Sequence, residues 1–214
     1  MKIGILGVGR MGKGLARCYA KAGHEVFLGS RSAAKAETEA ETIASEVGNG
    51  AVRGGDHAAA VAESEVIVLA VPFLDAAPLA SSLADSLEGK IIVDITNPGF
   101  RLGGEISGME HNAREMGKPA RWVAAWKTTS WKTFPEPKNA EGIRHDCFIC
   151  SSDDEARNII AEHVESFGFR AVDCGDEKHA RTLDFMVPLM IELDRTLSGD
   201  NFSFWKFHDG GRTD

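Results

Sequence analysis

Three glycines near the start of the chain have the spacing of a nucleotide-binding turn. The motif is GxGxxG, formed by Gly7, Val8, Gly9, Arg10, Met11 and Gly12. It follows an apolar strand-like run and opens a helical pattern. The first glycine permits a tight bend, the second lets a pyrophosphate approach the backbone, and the third lets helix and strand pack closely. The motif therefore predicts a dinucleotide site, with a ligand-free glycine turn as the alternative.

The end of the second predicted strand bears on which dinucleotide binds. A site for NAD usually places Asp or Glu here to bond the ribose 2′-OH, but this chain has Ser30, Arg31 and Lys35. A guanidinium suits a phosphate dianion because its planar fork bonds two oxygens at once. These residues favour NADP over NAD. The alternative is that Arg31 and Lys35 are a solvated surface pair.

Two further strand ends are expected at the same edge of the sheet. Ala70, Val71 and Pro72 end a β-branched run, and Asn97 follows another. Ligands of open α/β sheets lie at the carboxyl ends of the strands. We expect the Val71–Pro72 backbone to approach the nicotinamide side of a bound dinucleotide. Asn97 is either an amide partner of the ligand or a turn-forming residue before proline.

The elements that must position these residues alternate between short apolar runs and helical patterns. Such alternation is typical of βαβ units around a parallel sheet. We predict an α/β fold with an N-terminal Rossmann doubly wound parallel sheet and a small C-terminal α/β domain that ends in a long helix. The predicted NADP-binding domain spans residues 1–124, and the predicted substrate and dimerisation domain spans residues 125–214.

The segment after the sixth predicted strand carries the candidate acceptor-side residues, Trp126, Lys127, Thr128, Thr129 and Trp131. Lys127 is a candidate catalytic proton donor, or a partner for an acidic substrate group. The tryptophans could stack on a flat heterocycle. The alternative places Lys127 in solvent and the tryptophans in the core.

The last predicted helix carries an apolar stripe at helical spacing, formed by Leu183, Met186, Met190, Leu193 and Leu197. Met186 is a candidate substrate contact. The stripe exceeds what one Rossmann-like domain needs to close, so a second copy of the chain is expected to cover it. We therefore expect the protein to be a homodimer.

Composition narrows the class of protein. The 24 Lys and Arg against 32 Asp and Glu give a formal net charge of −8, which argues against nucleic acid as a partner. No apolar run approaches the ~20 residues that span a bilayer.

No metal is expected from the spacing of the histidines and carboxylates. Cys147 and Cys150 are expected on opposite faces of one strand, and we predict a reduced, cytoplasmic protein.

Taken together, the motifs resemble one known family. They are the glycine motif, Ser30-Arg31 with Lys35, Val71-Pro72, Asp94-Ile95-Thr96-Asn97-Pro98, the helix segment 183–189 and the segment 201–207. The chain is similar to the coenzyme F420-dependent NADP oxidoreductases over nearly its whole length. The resemblance implies hydride transfer between NADP(H) and a deazaflavin, a Rossmann domain with a small C-terminal domain, and a homodimer.

One position departs from the pattern of that family. Members that reduce a deazaflavin tend to have His or Asn where this chain has Lys127. The sequence therefore predicts an NADP-dependent oxidoreductase whose acceptor is a deazaflavin, flavin or pterin, or another small organic molecule. Two alternatives remain: a non-catalytic NADP(H)-binding regulator and, ranked last because the chain is short, a dehydrogenase of β-hydroxy acids.

Overall fold

The computed structural model of the chain describes residues 1–48, 50–197 and 203–208. Its main feature is a six-stranded, all-parallel sheet. The strands are β1 (Lys2–Leu6), β2 (Glu25–Gly29), β3 (Val52–Gly55), β4 (Val66–Leu69), β5 (Ile91–Asp94) and β6 (Arg121–Ala124). Their order across the sheet is β3-β2-β1-β4-β5-β6. This order confirms the predicted Rossmann fold, because the chain reverses direction across the sheet between β3 and β4.

Helices cover both faces of this sheet. They are α1 (Arg10–Lys21), α2 (Ala33–Val47), α3 (His57–Ala62), α4 (Phe73–Ser82), α5 (Ala84–Leu87) and α6 (Gly108–Met116). Successive strand residues alternate between two cores: Ile3 and Ile5 pack into one, whereas Leu6 and Ile67 pack into the other. A sheet buried on both faces explains why the central strands are near-continuous apolar runs.

A smaller unit follows, formed by β7 (Asp146–Ile149), α7 (Asp154–Ser166) and β8 (Arg170–Asp173), with β7 parallel to β8. It meets the large sheet through an antiparallel bridge between Ala124 and Cys150. Asp153 accepts the amide proton of Ala156 and caps α7. The capping-box spacing of Ser152 and Glu155 predicts a cap at Ser152, one residue before the observed one. The boundary predicted after residue 124 coincides with the end of β6 and remains a proposal.

The last helix, α8 (Ala180–Leu197), runs through Pro188 and changes character along its length. Leu183 is buried, whereas Leu193 and Leu197 are exposed, together with Leu189 and Ile191. The predicted apolar stripe therefore exists, but only its start packs against its own chain. Asn201 and Phe202, which belong to the segment that carried the resemblance, lie outside the described residues.

The C-terminal segment 203–208 is attached by a buried carboxylate. Asp146 accepts hydrogen bonds from Lys206 Nζ at 2.6 Å and from the Phe207 amide at 2.8 Å, and it also pairs with Arg170. Ser203 donates to Asp194 on α8 at 2.6 Å. These bonds hold the segment against both β7 and α8.

Candidate active site

The glycine turn joins β1 to α1, and its three glycines play different parts. Gly7 has φ +125°, and a Cβ there would lie 2.3 Å from the carbonyl oxygen of Ala70. A Cβ on Gly12 would lie 2.0 Å from the carbonyl oxygen of Gly7, whereas a Cβ on Gly9 would meet nothing within 4 Å. Packing therefore requires the first and third glycines. The second faces open space, as the close approach of a pyrophosphate demands.

The N-terminus of α1 favours the binding of an anion. Its cap residue is Gly9, which has no side chain to accept a hydrogen bond from the first turn, and that turn contains no acidic residue. The unpaired N–H groups and the positive end of the helix dipole attract phosphate oxygens. The geometry around Gly9 thus fits the predicted cofactor group.

A cavity of about 480 Å³, which we call the glycine-loop cavity, joins this turn to the end of β2. Its lining includes Ser30, Arg31 and Lys35 together with Gly7, Val8 and Gly9. Ser30 is fixed by its amide, which donates to Gly55, and its hydroxyl accepts the amide proton of Ser32. Arg31 and Lys35 are exposed, and within the described part of the chain no carboxylate pairs with either. The structure thus brings the predicted 2′-phosphate residues to one cavity.

His57 also lines the glycine-loop cavity, although the sequence pattern did not indicate a role for it. Asp56 caps α3 and so makes His57 its first residue, next to the end of β2. Burial lowers the pKa of His57, and the positive charge of Arg31 lowers it further. A phosphate dianion bound beside His57 would favour its charged form. The overlooked signal was the Asp-His pair directly after β3.

A second cavity, the strand-end cavity, has a volume of about 560 Å³ and shares Gly9, Ala70, Val71 and Pro72 with the first. Arg10, Met11, Thr96 and Asn97 complete much of its lining. Asn97 Oδ1 accepts the amide proton of Gly99 at 2.7 Å, which is the turn role. Its Nδ2 is buried with no protein partner. The turn role is therefore observed, and Nδ2 is left available for the predicted ligand contact.

A third cavity, the helix cavity, has a volume of about 190 Å³ and lies between the 127–131 segment and α8. Met11 lines both this cavity and the strand-end cavity, so the two adjoin. Thr129 and Trp131 form one wall, and Val187, Met190 and Ile191 form the other. Of the two tryptophans in the segment, Trp131 is the accessible one, with 38% of its surface exposed.

Three predicted substrate contacts have other positions. Trp126 is 1% exposed, adopts φ +58°, and packs in a cluster with Phe134, Phe167 and Phe169. Thr128 is buried. Met186, a candidate substrate contact, packs against the second core cluster, whereas Val187, Met190 and Ile191 line the helix cavity. Trp126 therefore follows the core alternative, because its ring is enclosed by other aromatic rings.

The candidate catalytic Lys127 has a side chain with no exposed surface. Its Nζ lies 2.9 Å from Asp184 Oδ1 and 3.8 Å from Asp94 Oδ1, and it donates to the carbonyl oxygen of Thr96 at 2.6 Å. Burial acts to lower the pKa of Lys127, but the two carboxylates raise it above the ordinary lysine value. The ammonium is thus held charged by protein partners, and Lys127 also belongs to the lining of the helix cavity.

The Lys127 network ties separate elements together. Asp184 comes from α8 and also accepts the amide proton of Gly108 at the start of α6. Asp94 accepts the amide proton of Thr96 and a bond from Asn112. Because Thr96 precedes Asn97, the network fixes the loop at the strand-end cavity relative to the helix that lines the helix cavity.

Other predictions concern metals, cysteines and membranes. Among the described residues, no group of three or more His, Cys, Asp and Glu could hold a metal ion. Cys147 and Cys150 are free, and they pack into different core clusters, as expected for opposite faces. Within the same described part, no helix is both long enough and apolar enough to cross a bilayer.

Comparison with known proteins gives consistent matches. The family described as NADP oxidoreductase, coenzyme F420-dependent, matches residues 2–98. The F420-dependent NADP reductase of Methanothermobacter marburgensis is 33% identical over 209 residues, which cover 91% of this chain and 92% of that protein. Its counterpart in Methanothermobacter thermautotrophicus is 32% identical, with 91% and 89% covered. A crystal structure described as an F420-dependent NADP reductase of Arthrobacter sp. FB24 has a TM-score of 0.81 and 29% identity, and covers 97% of this chain and 100% of that one.

Proposed function

Because the chain belongs to the family of coenzyme F420-dependent NADP oxidoreductases, we propose that it transfers hydride between NADP(H) and a flat heterocyclic acceptor. A deazaflavin is the first candidate acceptor, and a flavin or a pterin is the next. The protein is an NADP-dependent oxidoreductase. The observation that carries the proposal is the continuity of three cavities, from Arg31 through the strand ends to Trp131.

We assign the cofactor-binding roles by charge and position. Ser30, Arg31 and Lys35 would hold the 2′-phosphate, and Gly9 with the α1 N-terminus would hold the pyrophosphate. The nicotinamide half would then lie in the strand-end cavity, where Asn97 Nδ2 can donate to it. NADP(H) supplies the hydride. The chain's own contribution is to bind, to orient and to exclude water.

The burial of Lys127 bears on the acceptor. A carbonyl or imine acceptor needs a proton donor for the charge that develops on it, and Lys127 was the residue expected to supply it. Its ammonium is instead engaged by Asp184 and Thr96. Transfer between two rings needs no dedicated acid or base, so the site favours a heterocycle. This supports a deazaflavin, the acceptor named for the relatives, as the first candidate.

The size of the helix cavity limits where the acceptor ring can lie. Its volume of about 190 Å³ is below the ~300 Å³ at which ligand pockets usually begin. The acceptor ring would therefore lie partly in the strand-end cavity, against Met11 and near Trp131. That position brings it beside the nicotinamide half of the cofactor.

The test is oxidation of NADPH by the purified protein, followed at 340 nm, with coenzyme F420, FMN, a pterin and simple carbonyl compounds as acceptors. We expect turnover with F420, and next with FMN. Turnover with carbonyl compounds alone would refute a heterocyclic acceptor. Tight NADPH binding with no turnover of any acceptor would favour the non-catalytic regulator.

We further propose a homodimer in the cytoplasm. Leu189, Leu193 and Leu197, each four residues from the next, form an exposed apolar face on α8, which is the kind of surface that a second copy covers. The four free cysteines fit a reducing compartment. Light scattering coupled to size exclusion tests the dimer: Leu189→Glu with Leu193→Glu should yield monomers, and an unchanged mass would argue against this face.

A further inference from the structure

A fourth cavity lies beside the three that form the active site. It is a groove of about 390 Å³ between α1 and residues 131–135, which we call the α1 groove. Gly14 and Cys18 line it on the helix side, and Trp131, Phe134 and Pro135 line the opposite wall. A Cβ on Gly14 would lie 2.3 Å from Phe134 Cδ2, so this glycine lets the aromatic ring rest directly on the helix. The groove therefore offers an apolar surface.

Four cations border the α1 groove along one face of the helix. They are Arg10, Lys13, Arg17 and Lys21, which lie at spacings of three or four residues. Lys13 pairs with Glu39 and Arg17 pairs with Glu46. Within the ranges that the structure describes, no carboxylate lies within 4.0 Å of Arg10 or Lys21. The groove thus has uncompensated positive charge at each end, about 16 Å apart at 1.5 Å per residue.

The α1 groove adjoins the active site. Arg10 lines both the groove and the strand-end cavity, and Trp131 lines both the groove and the helix cavity. The guanidinium of Arg10 lies 5.1 Å from the centre of the Trp131 ring, which fixes this junction. A ligand whose ring is in the active site can therefore extend into the groove past these two side chains.

We propose that the α1 groove binds an anionic chain attached to the acceptor, one that carries phosphate or carboxylate groups on an otherwise apolar or flexible stem. Charge complementarity supports this occupant, because a protein of net charge −8 repels anions except where cations are concentrated. The apolar wall of Phe134 and Pro135 suits the stem, and Lys13, Arg17 and Lys21 suit the acidic groups. The proposal rests on the proposed function only for the identity of the ring.

The first test measures the groove without turnover. Protein saturated with NADP⁺ is titrated with 1-anilinonaphthalene-8-sulfonate, an aromatic anion that fluoresces when it is bound. The variant Lys13→Gln with Lys21→Gln should bind it roughly tenfold more weakly than the wild type. Lys118→Gln, which removes a surface lysine paired with Asp85 and Glu88, is the matched control and should bind normally. Equal affinity in all three proteins would refute the site.

The second test connects the groove to the acceptor. The KM of FMN is compared with that of riboflavin, which has the same ring without the phosphate. We expect FMN to have a KM roughly tenfold lower in the wild type, and the ratio to approach one in the double variant while the KM of NADPH is unchanged. Loss of anilinonaphthalene sulfonate binding with an unchanged ratio would refute the link to the acceptor. Absence of turnover with either flavin, with the first test positive, would count against the proposed function and leave the anion site supported.

Discussion

The two sides of the active site use charge in opposite ways. On the cofactor side, Arg31 and Lys35 are exposed, and no protein carboxylate within the described residues pairs with them. On the acceptor side, Lys127 is buried and is neutralised by Asp94 and Asp184. Cations of the first kind are available to a ligand, whereas a cation of the second kind holds the protein together. The same residue type thus has different roles because solvent and partners differ.

The difference has an energetic cause. A lysine in water keeps its charge at little cost, so a bound phosphate gains attraction without a large desolvation penalty. A lysine removed from water loses several kcal/mol of hydration, which only close counter-charges offset. A ligand would have to compete with Asp184 and Thr96 for the ammonium of Lys127. We therefore regard Lys127 as a residue that positions the site.

The largest expected effect is that of Lys127→Met. It leaves two carboxylates in a buried region without their cation, which should lower the free energy of unfolding by about 3–5 kcal/mol. Urea denaturation measures it, and Lys35→Met, which removes an exposed lysine, should change stability by less than about 0.5 kcal/mol. Lys127→Met with Asp184→Asn should recover part of the loss. Full stability of Lys127→Met with a lower kcat would instead indicate a catalytic lysine.

The two tryptophans of the acceptor-side segment give a matched comparison. Trp126→Ala removes a ring enclosed by three phenylalanines and should cost about 3–5 kcal/mol of stability. Trp131→Ala removes a partly exposed ring and should cost about 1 kcal/mol or less. The KM of the acceptor should rise for Trp131→Ala. Similar stability losses in the two variants, measured by urea denaturation, would contradict this assignment.

On the cofactor side, Arg31→Asp replaces attraction by repulsion at the predicted 2′-phosphate site. The preference for NADPH over NADH, measured as the ratio of kcat/KM values, should fall about 100-fold, which corresponds to about 2.7 kcal/mol. The exposed Arg114→Asp is the control with the same charge change and should leave the ratio intact. If Arg31→Asp affects both cofactors equally, the residue does not bind the 2′-phosphate.

The smallest of these effects concerns pH and lies away from both sides. His163 is buried against Tyr19 and His24, and burial lowers its pKa from 6.5 to about 4. The unfolded chain binds the proton more tightly, so stability is complete above about pH 6.5 and falls as the pH approaches 4. When the pH falls from 8 to 5, the titration of His163 should lower the free energy of unfolding by about 2 kcal/mol.

Denaturation curves at the two pH values measure this effect. His163→Phe keeps an aromatic ring next to Tyr19 and removes the titrating group, so its stability should change less with pH. His24 has a pKa lowered by burial and by the N-terminal charge and contributes in the same direction, so some dependence should remain. An identical pH dependence in wild type and variant would show that His163 does not titrate in this range.

Short contiguous patterns in the sequence predicted most of the residues on the cofactor side of the site. The glycine turn, the Ser30–Arg31 pair and the strand ends are each contiguous in the chain, and parallel topology brings strand ends to one edge. Their meeting in two connected cavities follows from rules that need no distant contact. The resemblance to the family added the expected type of acceptor.

The acceptor side depended on contacts between distant parts of the chain. Whether Lys127 faces solvent, ligand or core depends on where α8 places Asp184 and where β5 places Asp94. The exposure of Trp126 and Trp131 likewise depends on the phenylalanines that fold back onto the segment. Local spacing carries no information on these partners, so the sequence left both alternatives open.

The sequence by itself determined the fold, the glycine turn and the charge at the predicted 2′-phosphate position, because periodicity, glycine spacing and residue charge act over short stretches. Only the tertiary structure decided that Lys127 is a buried ion-pair partner, that Trp126 is core, and that the cations of α1 face an apolar wall around Phe134. Burial sets the cost of a charge, and burial is a property of the whole packed chain.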